Sequence, residues 1–448
     1  MDTPIKDFID GYAKKNAVRM HMPGHKGVAL VGAKSDITEI MGADVLYLGD
    51  GIIAKSQANA SEIFGSKKTV YSTEGSSLSI RAMVYLLCAY AKQEGRACKI
   101  LAGRNAHKVF STAVALCDAE VEWLYPKKSE GLNSCKICAK DLDEYLMQAS
   151  EKPIALYLTS PDYIGNIEDI LSISKVCKKH GVLLVVDNAH GAYLKFLEKS
   201  IHPIDLGADM CCDSAHKTLS ALTGAGYLHI SSSAPAFFEQ NVHHAMTLFA
   251  STSPSYLILN SLDLLNDYLS KDYKNDLANV VEKIKILKTY LKSIGYEIIS
   301  HEPLKVVIKT KSYGYLGEEI AKILEKNDVY CEFADPDYLV LMLSEKTTDA
   351  DINKVKAVLS SIEKRTPILK SFPPSTQPQA VMSTREALFS LCEEVDAKSS
   401  EGRILASPTV ACPPAIPIVV SGERIDKDCI ANFEYYGVKR IKVIKNTD

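Results

Sequence analysis

No run of apolar residues in this chain approaches the roughly 20 that a helix needs to cross a bilayer. The longest one near the start of the core, Ala82 to Ala91, is short and carries Tyr85 and Tyr90. Nor is there an excess of charge: 52 Lys and Arg face 55 Asp and Glu, a net of −3. That balance gives no electrostatic case for nucleic acid or an anionic membrane as a partner. The opening MDTPIKDFIDGYAKK carries acids early and has no apolar core, so secretion is not expected. Twelve cysteines are spaced irregularly, the usage of reduced thiols in a cytoplasmic protein. Cys135-Lys136-Ile137-Cys138 has no second pair to complete a four-ligand set, and no metal is expected. No internal repeat is present. What remains is ordinary: 46% hydrophobic and 24% charged residues over 448 positions, the profile of a globular chain of two or three domains.

The patterning divides the chain. Residues 1–65 are punctuated by glycine and show no periodic apolar face long enough to fold alone, as expected of an arm that packs on a neighbour. From 66 to 270, short apolar runs alternate with helix-like segments: Ile100-Leu101, Val121 to Leu124, Ile154 to Thr159, Val182 to Asp187, Met210 to Cys212 and Tyr227 to Ile230. That rhythm predicts an α/β domain with a mostly parallel sheet. Residues 271–365 read as a smaller α+β domain, with strands at Tyr296–Ile299, Val306–Lys309, Cys331–Phe333 and Tyr338–Leu343. A Pro-rich linker follows at 366–380, then a last segment at 381–448.

Two strand ends carry the chemistry. Val182 to Val186 (VLLVV) delivers Asp187, and Met210-Cys211-Cys212 leads into Ser214-Ala215-His216-Lys217. Ligands of parallel sheets collect at the carboxyl ends of strands. A strand delivering an Asp followed by one delivering a Lys is the layout expected of a pyridoxal-phosphate enzyme. The Lys amine forms a Schiff base with the cofactor aldehyde, and the Asp keeps the pyridinium nitrogen protonated. Each residue alone has a plainer reading, a solvated loop Lys and a helix N-cap Asp. Gly75 and Ser76 open an apolar helix near Leu78, a turn whose N–H groups suit a phosphate dianion or serve as a simple cap.

Seven motifs in order resemble the Orn/Lys/Arg decarboxylase family, over nearly the whole length. They are His21-Met22-Pro23-Gly24-His25-Lys26-Gly27, Asp36-Ile37-Thr38-Glu39, Thr73-Glu74-Gly75-Ser76-Ser77, Arg104-Asn105-Ala106-His107-Lys108, Asp187-Asn188-Ala189-His190-Gly191-Ala192, Ser214-Ala215-His216-Lys217, and Pro413-Pro414-Ala415-Ile416-Pro417 with Gly422-Glu423. The resemblance implies the aspartate-aminotransferase-like fold type I, pyridoxal 5′-phosphate as cofactor, and removal of the carboxylate of a basic amino acid. It implies Lys217, His216 and Asp187 as catalytic residues. His107 would stack on the ring, Gly75, Ser76, Ser214 and His216 would reach the phosphate, and Ala189 and His190 would line the ring. His21, His25, Lys26 and Glu423 are its candidates near the substrate, with Glu39, Asp44 and Asp50 as further acids for a cationic tail.

Three positions depart from the family pattern: Asn188 in place of Glu, Ala415 in place of Gly and Ser421 in place of Pro. Glu74 sets a carboxylate beside the expected phosphate loop, unfavourable unless it points away or meets a cation. Arginine in polyamine synthesis is the expected substrate, with lysine or ornithine next. Another fold type I reaction, an aminotransferase or lyase, stays open, and so does a catalytically silent regulatory homologue. An aminotransferase would need an Arg on the substrate carboxylate; Arg403 stands in a motif-like setting. The family's sites lie at a dimer interface, which implies a homodimer or larger homo-oligomer with the His21–Gly27 segment near a cofactor site.

Overall fold

The apolar runs between 66 and 270 are strands in the computed structural model, which describes residues 1–15, 18–20, 22–23, 25–28, 34–126, 131–299, 301–374, 376–408 and 414–446. Seven build a large, mostly parallel sheet: β1 (Lys68–Ser72), β2 (Lys99–Gly103), β3 (Glu120–Leu124), β4 (Ala155–Thr159), β5 (Leu183–Asp187), β6 (Met210–Asp213) and β7 (Gly226–Ile230). Two compact units divide the chain.

The first unit comprises Met1–Cys98, Leu142–Tyr157 and Asp169–Leu277. Its strands run in the order β1-β7-β6-β5, with the start of β4 beyond β5. β5 and β6 are parallel, paired Val185↔Met210, Val186↔Cys211 and Asp187↔Cys212, whereas β7 is antiparallel to both β6 and β1. Leu184, Val185 and Val186 are fully buried, so the run is apolar throughout and does not alternate.

The expectation of an irregular arm over 1–65 needs correcting at both ends. α1 (Pro4–Lys14) buries Ile5 and Ile9, one turn apart, and α2 (Ile52–Phe64) buries Ile53, Ala60 and Phe64. Asp263, fully buried on the helix Tyr256–Lys271, accepts the backbone N–H groups of Ile5 and Lys6 at 2.9 Å each and the Ser56 hydroxyl at 2.5 Å. A carboxylate at the positive end of α1 satisfies donors that no intrahelical bond reaches. Both helices therefore pack on their own chain. The described residues from 18 to 51 form turns and irregular backbone.

The second unit comprises Lys99–Asp141, Leu158–Glu168 and Ala278–Asp448. It holds the parallel pair β2 and β3. An antiparallel sheet, in the order β10-β11-β9-β8, is built from β8 (Glu297–Ile298), β9 (Lys305–Lys309), β10 (Phe333–Ala334) and β11 (Tyr338–Met342). Ile164, Val307, Phe333, Tyr338 and Val340 form one core there. A second antiparallel sheet, β12-β14-β13, joins β12 (Cys392–Asp396), β13 (Leu405–Ser407) and β14 (Arg440–Ile444) over a core that includes Leu405, Ile418, Phe433 and Val443. No helix among the described residues is long and apolar enough to cross a membrane.

Candidate active site

The first unit brings the Asp and the Lys of the two strand ends into one site. Asp187 closes β5, and Lys217 sits in a single helical turn, Ala215–Thr218, directly after β6. The parallel register sets both strand ends on the same side of the sheet. The Asp187 carboxylate is buried; Oδ1 accepts from the Ala189 N–H at 3.1 Å and the Cys212 thiol at 3.6 Å, and Oδ2 from the Tyr157 hydroxyl at 3.3 Å. Burial pushes its pKa up, while the Lys217 charge and these donors oppose that rise. Lys217 Nζ lies 3.2 Å from His190 Nε2. His190 is brought there by a tight turn after Asp187, closed by a 2.7 Å bond from the Gly191 N–H to the Asn188 carbonyl.

A second group of residues gathers around the first turn of α3 (Gly75–Gln93). Gly75 has φ +64° and donates its N–H to the Gly224 carbonyl at 2.7 Å. Glu74 precedes the helix without capping it through its side chain. The Ser214 hydroxyl donates to Ser76 Oγ at 3.0 Å. His216 Nδ1 is 2.7 Å from the Ala225 carbonyl, so the ring is held with its Nδ1 proton directed there, and burial lowers its pKa. Gly226 is required by closeness: a Cβ there would stand 2.9 Å from the Gly75 carbonyl carbon and 3.0 Å from the Asp213 oxygen. The Glu74 carboxylate turns to the Ser251 N–H at 2.8 Å, the pointing-away that a phosphate loop requires.

The remaining candidates have their own local partners. His107, in the second unit, caps the helix Lys108–Cys117 and accepts the Val109 N–H on Nδ1 at 3.2 Å. Glu423, the acid expected near a cationic substrate tail, already has partners within its own unit. Its Oε2 accepts from Arg104 at 3.2 Å and from the Val420 N–H at 2.8 Å, with the carboxylate almost wholly buried. That oxygen is a structural partner of Arg104. Asp44 likewise accepts the Ile53 and Ala54 N–H groups at the start of α2. Arg403 is bound to Glu393 at 2.6 Å and the Ile444 carbonyl at 2.7 Å. His25 lies 3.3 Å from Asp36 and accepts the Gly27 N–H; Lys26 has φ +53°. His21, Gly24 and Pro413 lie outside the described residues. Sequence reasoning missed Tyr157, which only the packing of neighbouring strands brings to Asp187. It also missed Asp213, although an acid directly before Ser214 was a usable signal.

Fold and paired strand ends define a class: a pyridoxal-phosphate enzyme of fold type I. The family model described as "Orn/Lys/Arg decarboxylase, major domain" matches residues 3–296, and that of the "Orn/Lys/Arg decarboxylase, C-terminal domain" matches 369–440. The chain belongs to this family; it is an amino-acid decarboxylase whose cofactor is pyridoxal phosphate. A Bacillus subtilis (strain 168) relative named "Uncharacterized protein YaaO" is 30% identical, covering 96% of this chain and 93% of its own length. The "Arginine decarboxylase" of the same organism is 26% identical, over 96% and 92%. The crystal structure of the Francisella novicida lysine decarboxylase LdcF matches with a TM-score of 0.80 at 17% identity, over 99% of this chain and 81% of that one. At that identity it speaks for the fold.

Proposed function

We propose that this chain removes the α-carboxylate of arginine, giving agmatine for polyamine synthesis, and that Lys217 holds the cofactor. The observation that carries the site is the meeting of Lys217 with His190 at 3.2 Å beside buried Asp187. Preference for arginine over lysine or ornithine is supported by the relatives named arginine decarboxylase, which align along nearly their whole lengths. A cytoplasmic setting agrees with the reduced-thiol reading.

The residues fit the cofactor. Around Gly75 the backbone leaves a cradle in which a Cβ would meet only His216 Cε1, at 3.4 Å, and Ser76, Ser214 and His216 surround it. The uncapped first turn of α3 directs N–H groups at a phosphate. Asp187 would accept a hydrogen bond from the protonated ring nitrogen and Ala189 and His190 would line the ring, with His107 the family pattern's candidate for its other face. When bound, pyridoxal phosphate supplies a sink for the electron pair that the departing carboxylate leaves at Cα. Asp187 would stabilise a positive ring nitrogen through a buried charge, worth more there than in water. The Lys217 amine would move a proton at Cα, with His216 or another nearby acid as the alternative donor.

A homodimer completes this reading. Among the described residues of 18–51, Met20, Met22, Val28, Met41 and Leu48 are exposed apolar side chains, the kind of surface that a partner can cover. A second copy covering it would bring His25 and Lys26, and with them His21, toward a site.

The test is CO₂ release from arginine, lysine and ornithine at equal concentration, repeated with Lys217→Ala. Arginine gives the highest kcat/KM, and the variant releases none above background. Borohydride reduction fixes the cofactor to the peptide bearing Lys217 in the wild type alone. Labelling at another Lys, or a 2-oxo acid formed without CO₂, overturns the proposal.

A further inference from the structure

Asp213 ends β6 immediately before Ser214 and is fully buried. Its Oδ2 meets Nε2 of His202 at 3.0 Å and of His229 at 3.1 Å, and its Oδ1 accepts from Asn188 Nδ2 at 2.6 Å. The rings are oriented from behind: the Ile204 N–H reaches His202 Nδ1 at 3.4 Å, and Thr69 Oγ1 lies 2.8 Å from His229 Nδ1. Both imidazoles therefore present an Nε2 proton to the carboxylate. Burial acts to raise the Asp213 pKa, but the two histidines outweigh it and hold the carboxyl below its ordinary range.

Asn188 follows Asp187 directly, and its backbone N–H donates to the Cys212 carbonyl at 3.0 Å. Position 188 is where the family pattern has Glu. Here a Glu would meet the Asp213 charge across the strand pair, with no proton between them. The amide at 188 and the acid at 213 complement each other, the first directly after the end of β5 and the second the last residue of β6.

We infer that Asn188 and Asp213 form a buried cross-strand clamp, with Asp213 a positioning residue that fixes Asp187 relative to the Ser214–Lys217 turn. This rests on the proposed roles of Asp187 and Lys217. The histidine pair anchors one oxygen of Asp213, so the other is aimed at Asn188 and cannot swing away. The clamp continues the β5–β6 ladder by one side-chain bond beyond its last backbone pair, Asp187↔Cys212. His202, Cys211 and Asp213 also bring one ligand atom each within 4.8 Å of one another, so a cation held there is the competing account.

The test compares Asn188→Asp, Asp213→Asn and the exchange that combines them, by cofactor titration, by kcat and KM measured separately, and by thermal melting. Asn188→Asp opposes two carboxylates and weakens cofactor retention about tenfold or more, a cost in the range of close like charges. It lowers kcat while leaving KM within about twofold, as expected of lost positioning. The exchange restores an acid–amide pair with the two roles reversed. The amide now on β6 can offer its oxygen to the histidines and its N–H to the carboxylate now following β5. Retention and kcat recover to within about threefold of the wild type, the non-additivity that marks a direct contact. If Asn188→Asp fails to fold, Asn188→Leu removes the same bond and must show the same split between kcat and KM. Wild-type retention and kcat in Asn188→Asp, additive effects in the exchange, or one equivalent of tightly held zinc in the purified wild type would each overturn the clamp. Borohydride labelling away from Lys217 would instead overturn the site reading, so the two failures are told apart.

Discussion

Glu423→Gln separates a structural carboxylate from a substrate-binding one. The substitution keeps the size of the side chain and its ability to accept the Val420 N–H, and removes only the charge facing Arg104. That guanidinium is nine-tenths buried, with Nη1 on the Pro417 carbonyl at 3.1 Å and Nη2 on the Ile418 carbonyl at 2.9 Å. Breaking one side of a buried ion pair costs about 3–5 kcal/mol, because the remaining charge stays in a poor dielectric. The two carbonyls soften this, so the expected loss lies near about 3 kcal/mol, or roughly a hundredfold in the folding equilibrium. The chain has a single tryptophan, Trp123, whose ring centre is 5.2 Å from the Arg104 guanidinium carbon. Urea unfolding followed by its emission should show a lower midpoint at unchanged slope, while KM for the amino acid stays within about twofold. Arg104→Met with Glu423→Leu removes the desolvation cost of the buried ions but leaves the Pro417 and Ile418 carbonyls and the Val420 N–H without these partners, so it should recover only part of the stability. An unchanged midpoint with a raised KM would refute this reasoning and make Glu423 the receptor of the substrate cation.

Two further outcomes follow from buried acids. Asp263→Ala strips two backbone donors of α1 and the Ser56 hydroxyl of their acceptor, a loss of about 3 kcal/mol given 1.5–3 kcal/mol for each bond to a charged group and partial recovery by water; hydrogen exchange should lose protection across Pro4–Lys14, and unaltered protection would show that Ile5 and Ile9 alone dock the helix. Burial pushes the Asp335 carboxyl up to about 7, above its unfolded value of about 3.9. The folded state thus binds the extra proton between those values, so this group's contribution to stability falls as pH rises from about 4 through 7 and then levels. Asp335→Asn keeps the acceptor for the Asp337 and Tyr338 N–H groups and cannot ionise, so its urea midpoint should fall less than that of the wild type between pH 5 and pH 8. Parallel curves would show that Asp335 does not ionise over that interval.

How far the sequence was legible depended on how local the cause was. β5 and the strand before Ser214 could be read because buried parallel strands need unbroken apolar runs, and VLLVV supplies one without help from elsewhere. Lys217, Asp187 and His190 stood out because a strand end, a turn and a short helix place them within a few residues of the sheet. α1 was missed although Ile5, Phe8, Ile9 and Tyr12 stand at helical spacing just after Pro4, a signal that the sequence did offer. Its N-terminal donors are satisfied by Asp263, 258 residues away in the case of Ile5. The charge of Glu74 beside the phosphate loop was visible as a conflict, but its resolution was not, since Ser251 lies 177 residues further on. The meaning of Asn188 was hidden for the same reason: its counterpart Asp213 sits on the next strand, and the histidines that hold Asp213 come from two other places.

The acids considered for a cationic substrate show what folding leaves over for recognition. Asp44 is occupied at the start of α2, where it accepts the Val45, Ile53 and Ala54 N–H groups, and buried Glu423 at Arg104 and the Val420 N–H. A carboxylate so bound cannot turn toward a guanidinium without leaving its donors unsatisfied, at a cost comparable to the contact it would gain. On the proposed homodimer, the receptor for the substrate tail must therefore be sought among acids without such duties. Among the described residues, Glu39 has the neighbouring Thr38 hydroxyl as its side-chain donor and no backbone N–H holding it in place. It stands in the same irregular stretch as exposed Met41 and Leu48, the stretch that a second copy would cover. On that proposal substrate choice and assembly are one question: the stretch that a second copy would cover also carries Glu39, an acid that no backbone N–H among the described residues holds.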